Sequence, residues 1–173
     1  MTESKDKKKA KESKKAEKTA LETAYAYLSG RMRTTSEMEK HLKEKGFGED
    51  EIRETVNDLI GLRYLDDYQY ALRYYEYNHE KRRGQSRAAR ELAAKGVDQE
   101  TIRNAGEDFA YSNSIDEFED ALFIARRELE LKNVLTADDK MSAAIARRLE
   151  NRGFSRDIIF RVLERLRSSA FDD

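Results

Sequence analysis

The fold class this sequence predicts is all-α, an elongated array of three tandem three-helix repeats. Three observations carry that expectation. The 173 residues contain no proline, and Ala, Leu, Glu, Lys and Arg dominate, residues that enter helices at little entropic cost. Charged residues make up 40% and hydrophobic residues 38%, with a mean hydropathy of -0.94, too lean for one thick core but enough for stacked thin layers. The third is a recurrence centred on glycine.

Leu42-Lys-Glu-Lys-Gly46-Phe47, Leu92-Ala-Ala-Lys-Gly96-Val97 and Leu149-Glu-Asn-Arg-Gly153-Phe154 share one pattern. Each reads as a helix end. Glycine takes the left-handed position after the last turn, and the flanking apolar residues are spaced to touch across it. Six residues after the glycines stand Ile52, Ile102 and Ile159; thirteen after stand Leu59, Phe109 and Leu166. Ile52, Val56 and Leu59 share a helical face, and Ile159, Leu163 and Leu166 repeat it. Gly106 replaces the middle member in the second repeat, whose last helix is expected to be the weakest.

A longer helix precedes each pair. The first carries Leu21, Ala24, Tyr25 and Leu28 and stops near Gly30. The second carries Tyr68, Ala71, Leu72 and Tyr75 and stops near Gly84; the third carries Phe118, Leu122, Ala125 and Leu129 and stops near Asn133. Ser36 with Glu39, Ser114 with Glu117 and Asp66 with Gln69 have the spacing of helix-start capping boxes. The expected organisation is an arm over 1–18, then repeats over 19–61, 62–110 and 111–173. The arm holds eight lysines against four acids and is expected to be disordered or a fraying helix.

Composition also excludes function classes. Without cysteine there is no disulfide, thiolate zinc cage or thiol nucleophile. The lysine-rich start lacks an apolar stretch, so it does not read as a secretory signal, and no apolar run reaches membrane-spanning length. A soluble cytoplasmic protein is expected. Phosphate loops, dinucleotide fingerprints and helical His pairs are missing. His41 and His79 lie in different repeats, and the acids cluster at helix starts, where they suit the macrodipole. No catalytic residue, cofactor site or metal site is expected.

Net charge is -1, so any contact with phosphate needs a local patch. The run Lys81, Arg82, Arg83, Arg87 and Arg90 contains no acid. Complementation of a helix dipole accounts for Lys81 to Arg83, but not for Arg87 at a helix start, and a binding patch accounts for all five. Lys40, Arg90 and Arg147 stand six residues before the glycines, as either a basic line along one face or a solvated surface. Arg156, Arg161, Arg165 and Arg167 make the last helix basic, whereas 49–60 holds five acids against one arginine and would be repelled by phosphate. Tyr68 and Tyr75 share the Leu72 face and read as core. Tyr70, Tyr74 and Tyr77 form a second stripe, either packed between repeats or presented to a partner or to bases.

The connected text resembles the RecX family. Gly61-Leu62-Arg63-Tyr64-Leu65-Asp66-Asp67 leads to Tyr70-Ala71, then to Lys81-Arg82-Arg83-Gly84, Arg90-Glu91-Leu92 and Lys95-Gly96-Val97. Upstream, Arg31 and Arg33 precede Ser36-Glu37-Met38 and the Leu42 to Phe47 segment. The likeness runs from about Leu21 to Leu166 and is most specific over 31–97. It implies a crescent of three-helix repeats that binds RecA–DNA filaments in the groove and inhibits ATP hydrolysis, strand exchange and coprotease function. The implied partners are the RecA filament and single- or double-stranded DNA, bound weakly or through the filament, by a monomer without cofactor. The chain departs from the family in lacking a proline before the second helix, in its lysine-rich arm and in stopping at Phe171-Asp172-Asp173. Two other readings stay open: a DNA-binding regulator acting through the third repeat, and a generic helical adaptor.

Overall fold

The computed structural model describes residues 18–134 and 138–168. The remainder of the expected arm, residues 1–17, lies outside the described residues. Those described form nine helices and no strand: α1 (Ala20–Leu28), α2 (Thr35–Glu44), α3 (Glu49–Gly61), α4 (Asp67–Glu80), α5 (Gln85–Ala94), α6 (Gln99–Ser112), α7 (Glu117–Leu131), α8 (Asp139–Arg152) and α9 (Arg156–Ser168). None of them is long and apolar enough to cross a membrane. They pack as two compact units. Residues 18–33 with Met38–Leu65 make the first, and Thr34–Glu37 with 66–168 make the second.

In the first unit α1, α2 and α3 enclose Ala20, Ala24, Met38, Leu42, Ile52, Val56, Leu59 and Leu65. The second unit holds two cores. One is built on Tyr70, Ala71, Tyr75, Leu92, Ile102 and Phe109, the other on Leu122, Ala125, Ile145, Leu149, Val162 and Leu166. The three glycines stand at φ 92, 81 and 86, in the left-handed region. The N–H groups of Phe47, Val97 and Phe154 donate to the carbonyls of Leu42, Leu92 and Leu149 at 3.1–3.3 Å, closing a Schellman motif at α2, α5 and α8.

Four further helices end the same way without glycine. Arg63, Arg82, Ser114 and Asn133 take φ between 50 and 58, and the next residue's N–H closes the same bond in each case. An ordinary side chain in that region costs roughly 1–2 kcal/mol. The helix stop expected near Gly84 therefore falls earlier, at Glu80, while the stop near Asn133 falls where expected, with Asn133 itself left-handed after Leu131; α1 ends at Leu28 on a right-handed cap at Ser29.

The caps also shift. Thr34, not Ser36, opens α2: its hydroxyl accepts the Glu37 N–H at 3.1 Å, and Glu37 accepts the Thr34 N–H at 3.3 Å. Asp116, not Ser114, caps α7. Asp66 accepts from Gln69 N–H, as its spacing predicts. A capping box not singled out in the sequence, Thr19 with Glu22, starts α1. The α1 face is turned too, with Ala20 and Ala24 buried while Leu21 and Tyr25 are exposed. In α9 the fully buried residue is Val162, one position before Leu163. Gly106 does not interrupt α6; the Tyr75 ring lies where its side chain would stand.

In the second unit the opening turns of α2 and α5 are held in equivalent ways. The Thr35 N–H donates to Asp67 Oδ1 and the Gln85 N–H to Glu117 Oε1, both at 2.8 Å. Burial pushes both carboxyls above the usual carboxylate range. The C-cap carbonyls of the glycine turns receive donors as well: Lys95 from the Thr34 hydroxyl at 2.7 Å, and Arg152 from the Gly84 N–H at 2.9 Å. The glycines form the floor of each contact, since a side chain on Gly96 would collide with Ser36 and one on Gly153 with Arg87.

Leu42→Ala and Leu149→Ala each remove a fully buried side chain, and a loss of about 2–5 kcal/mol is expected in denaturant melts. Gly46→Ala faces open space among the described residues and should cost only the left-handed strain, about 1–2 kcal/mol. Gly153→Ala, which also disrupts the packing against Arg87, should cost clearly more. Equal losses for the two glycines would contradict the close packing at Gly153.

Glu117 gives a pH prediction. Because burial raises its folded pKa, the folded state holds the proton more tightly than the unfolded chain does. Stability from this group is therefore present at low pH and falls as pH rises from the ordinary carboxylate range through the raised value. Glu117→Gln keeps an acceptor for the Gln85 N–H and removes the desolvated charge. At pH 7 it should melt at or above the wild type, with the gap closing under acid, whereas Glu117→Ala should lose about 1–3 kcal/mol. Equal damage from both substitutions would show that the charge itself is needed.

Candidate nucleic-acid interface

In the second unit the end of α4 meets the end of α8, and basic side chains converge there. The α4 turn places Arg82 in the left-handed position; its N–H donates to the His79 carbonyl at 2.7 Å and that of Arg83 to Asn78 at 2.9 Å. Lys81 and Arg83 flank the exposed Tyr77 ring, at 5.8 and 5.9 Å from its centroid. The Arg82 guanidinium lies 4.4 Å over the Phe123 ring and 3.7 Å from Asp120, which also sits 3.2 Å from His79 Nδ1.

Arg152, at the end of α8, reaches back to this turn. Its Nη1 donates to the carbonyls of Lys81 at 3.2 Å and Arg82 at 3.0 Å. Burial, then the charges of Arg148, Arg83 and Arg82, hold its pKa below the usual guanidinium range. The neighbouring cations add to the effect of burial, although Arg82 is paired with Asp120 and Arg148 with Glu128. Beside it, Arg147, Arg148, Asn151 and Arg152 line an open recess of about 610 Å³, with Glu128 paired to Arg148 at 3.0 Å. Like charges at such spacing repel, and an added anion with several acceptor oxygens relieves the repulsion.

The expected site residues divide by their partners. Lys81, Arg90 and Arg147 are exposed and Arg83 half-buried. Arg87 is committed inside the fold: Nε pairs with Glu91 at 2.8 Å, and Nη1 donates to the Asn151 carbonyl at 3.2 Å. Glu91 in turn accepts the Tyr74 hydroxyl at 2.7 Å, a bond that lowers the Glu91 pKa. Burial first, and then the bond to Glu91, push the Tyr74 phenol up to about 12. Of the tyrosine stripe, Tyr70 is buried in the core, Tyr74 is held by Glu91, and Tyr77 alone is exposed. Tyr75 is core, while Tyr68 is half-buried with its hydroxyl on Asp108.

On α9, Arg161 lies 4.6 Å over the Phe118 ring, and Arg165 is exposed but engaged with a neighbour. In the first unit Lys40 and Arg31 are exposed. Arg33 is stacked 3.9 Å over Tyr27, and Tyr27 stacks on His41 at 3.8 Å. Burial, followed by the Lys45 charge, lowers the His41 pKa. Arg148 and Arg152 were not among the expected site residues. The signal for Arg152 was present in the sequence, in the cation preceding each glycine, but it reads equally as a helix-dipole partner. Among the described residues no cluster of His, Asp and Glu is arranged to hold a metal.

The comparisons with known proteins agree with one another. A model of the first three-helix domain of RecX matches residues 20–59, and a model of the second matches 66–105. The chain is 37% identical over 149 residues to the regulatory protein RecX of Bacillus licheniformis, covering 85% of this chain and 55% of that protein. It is 33% identical over 156 residues to that of Bacillus subtilis, covering 86% and 55%. The chain thus spans about half the length of the curated relatives it matches. The crystal structure of RecX from Lactobacillus salivarius superposes with a TM-score of 0.73 at 26% identity, over 85% of this chain and 94% of that one. With two family domains matched in order and relatives alike over most of its length, this chain belongs to the RecX family.

Proposed function

We propose that the chain is a non-enzymatic regulator that binds RecA–DNA filaments as a monomer in the cytoplasm. It restrains ATP hydrolysis, strand exchange and coprotease function by occupying the filament groove. Membership of a family named for regulation supports the regulatory role. The observation that carries the contact is the cation cluster where α4 meets α8. Arg152 donates to the Lys81 and Arg82 carbonyls and so lies beside the basic turn that ends α4, Arg147 and Arg148 line the adjoining recess with it, and Lys81, Arg90 and Arg147 are exposed. Such a surface suits the closely spaced phosphates of a nucleic-acid backbone or an acidic face of the recombinase. Tyr77, between Lys81 and Arg83, adds an aromatic face on which a base or a guanidinium can stack.

The direct measurement is single-strand-dependent RecA ATPase with the protein added. A variant carrying Lys81→Ala, Arg83→Ala, Arg90→Ala and Arg147→Ala leaves Arg87 and Arg152 in their internal bonds, so helicity should hold. Its inhibition should weaken and its salt dependence flatten, by roughly 0.7–0.9 in log–log slope for each phosphate that is no longer neutralised. Undiminished inhibition at ordinary salt would show these cations to be a solvated face. If Arg161→Ala with Arg165→Ala then abolished binding to bare duplex, the interaction would belong to α9 and the DNA-binding reading would replace this one.

A further inference from the structure

The glycine turns that end α2, α5 and α8 are built alike, and two of the three are occupied. At Lys95-Gly96 the occupant is the opening turn of α2. Its Thr34 hydroxyl donates to the Lys95 carbonyl at 2.7 Å, Ser36 sits against Gly96, and Glu37 pairs with Lys95 Nζ at 3.1 Å. At Arg152-Gly153 the occupant is the opening turn of α5. The Gly84 N–H meets the Arg152 carbonyl, and the stem of Arg87 sits against Gly153. Both copies present an acceptor carbonyl, a glycine floor and a preceding cation, but only at Gly96 does that cation meet an acid of the occupant, since Arg152 bonds the Lys81 and Arg82 carbonyls.

The turn of α2 itself, in the first unit, carries the same three features. Gly46 is left-handed at φ 92, Lys45 is exposed, and the Lys45 carbonyl precedes Gly46 in the same Schellman motif, closed by the Phe47 N–H on Leu42. Among the described residues nothing stands within 4 Å of a side chain added at Gly46, and no donor from another helix meets the Lys45 carbonyl. An open recess of about 1060 Å³ lies there, lined by Thr19, Thr23, Tyr27, Lys45, Gly46 and Phe47. Among the described residues of its wall, Lys18 and Lys45 bring two cations against one acid, Glu51.

We infer that the Lys45-Gly46-Phe47 turn is an open docking socket for the first turn of a helix from a partner protein. The occupant's chemistry follows from the filled copy at Gly96. Its first turn opens with a Ser or Thr cap whose hydroxyl donates to the Lys45 carbonyl. A small residue follows to lie on Gly46, and a glutamate three residues after the cap pairs with Lys45. The excess of cations around the recess selects for that acid. This surface belongs to the first unit and involves neither DNA nor the arginine cluster, so it stands or falls apart from the filament reading.

The test uses the full chain, labelled for amide NMR, and a helix-stabilised peptide opening Thr-Thr-Ser-Glu. Shifts should concentrate on Lys45, Gly46, Phe47 and the neighbouring α1 residues Thr23 and Tyr27. Lys45→Glu, at an exposed position, should weaken binding about fivefold, the scale of one surface ion pair. A peptide opening Thr-Thr-Ser-Lys should recover that loss on the Lys45→Glu chain and bind poorly to the wild type. Shifts absent from this turn, or an affinity indifferent to both charge changes, would overturn the proposal. So would the same shifts appearing when the chain is concentrated without peptide, because the occupant would then be a second copy.

Discussion

A helix that stops must leave carbonyls without partners, and how this chain meets that requirement governs the rest of its structure. A left-handed residue folds the last turn back so that two N–H groups satisfy two of the four carbonyls. The C-cap carbonyl is left pointing outward. In the second unit the carbonyls of Lys95 and Arg152 each take a donor from the opening turn of another helix. The end of one helix is thus completed by the start of another, whose own unpaired N–H groups are directed to Asp67 and Glu117. These joints work with modest apolar area, which suits a chain whose hydrophobic fraction is only 38%.

Much of this was legible in the sequence because glycine marks a backbone geometry directly. The three Leu-to-Gly segments predict the three Schellman turns, and the isoleucines six residues on predict buried faces at Ile52, Ile102 and Ile159. The turn at Asn133 was legible, because asparagine tolerates the left-handed position, but those at Arg63, Arg82 and Ser114 were not, since those side chains carry little sign of a left-handed backbone. The faces of α1 and α9 differ from the apolar spacing for a related reason. Small Ala20 and Ala24 lie where helices approach closely, while the larger Leu21 and Tyr25 are left outside.

The candidate site was legible as composition but not as partnership. The acid-free run from Lys81 to Arg90 includes exposed cations, yet sequence distance hides which cation is already taken. Arg87 is held by Glu91, four residues on, and by Asn151, sixty-four residues on. Arg152 belongs to the same cluster from seventy residues away. The tyrosines show the same limit. Helical spacing groups Tyr70, Tyr74 and Tyr77, but burial separates them into a core residue, a hydrogen-bonded one and an exposed one.

The internal commitments also shape how the basic surface acts. Arg87 and Arg152 hold backbone carbonyls that join two helix ends, so their charge adds to the local field while part of their donor set is already occupied. Arg82 is tempered by Asp120, and Arg148 by Glu128. On the proposed reading, a phosphate arriving here meets a positive potential set by the whole cluster, and direct bonds come first from the exposed Lys81, Arg90 and Arg147. Attraction and direct bonding are therefore separable in this protein. The internally bonded arginines fix the geometry and raise the potential, and the exposed ones release counterions. That separation lets a chain with a net charge of -1 present a basic face without the joint at its base depending on the ligand.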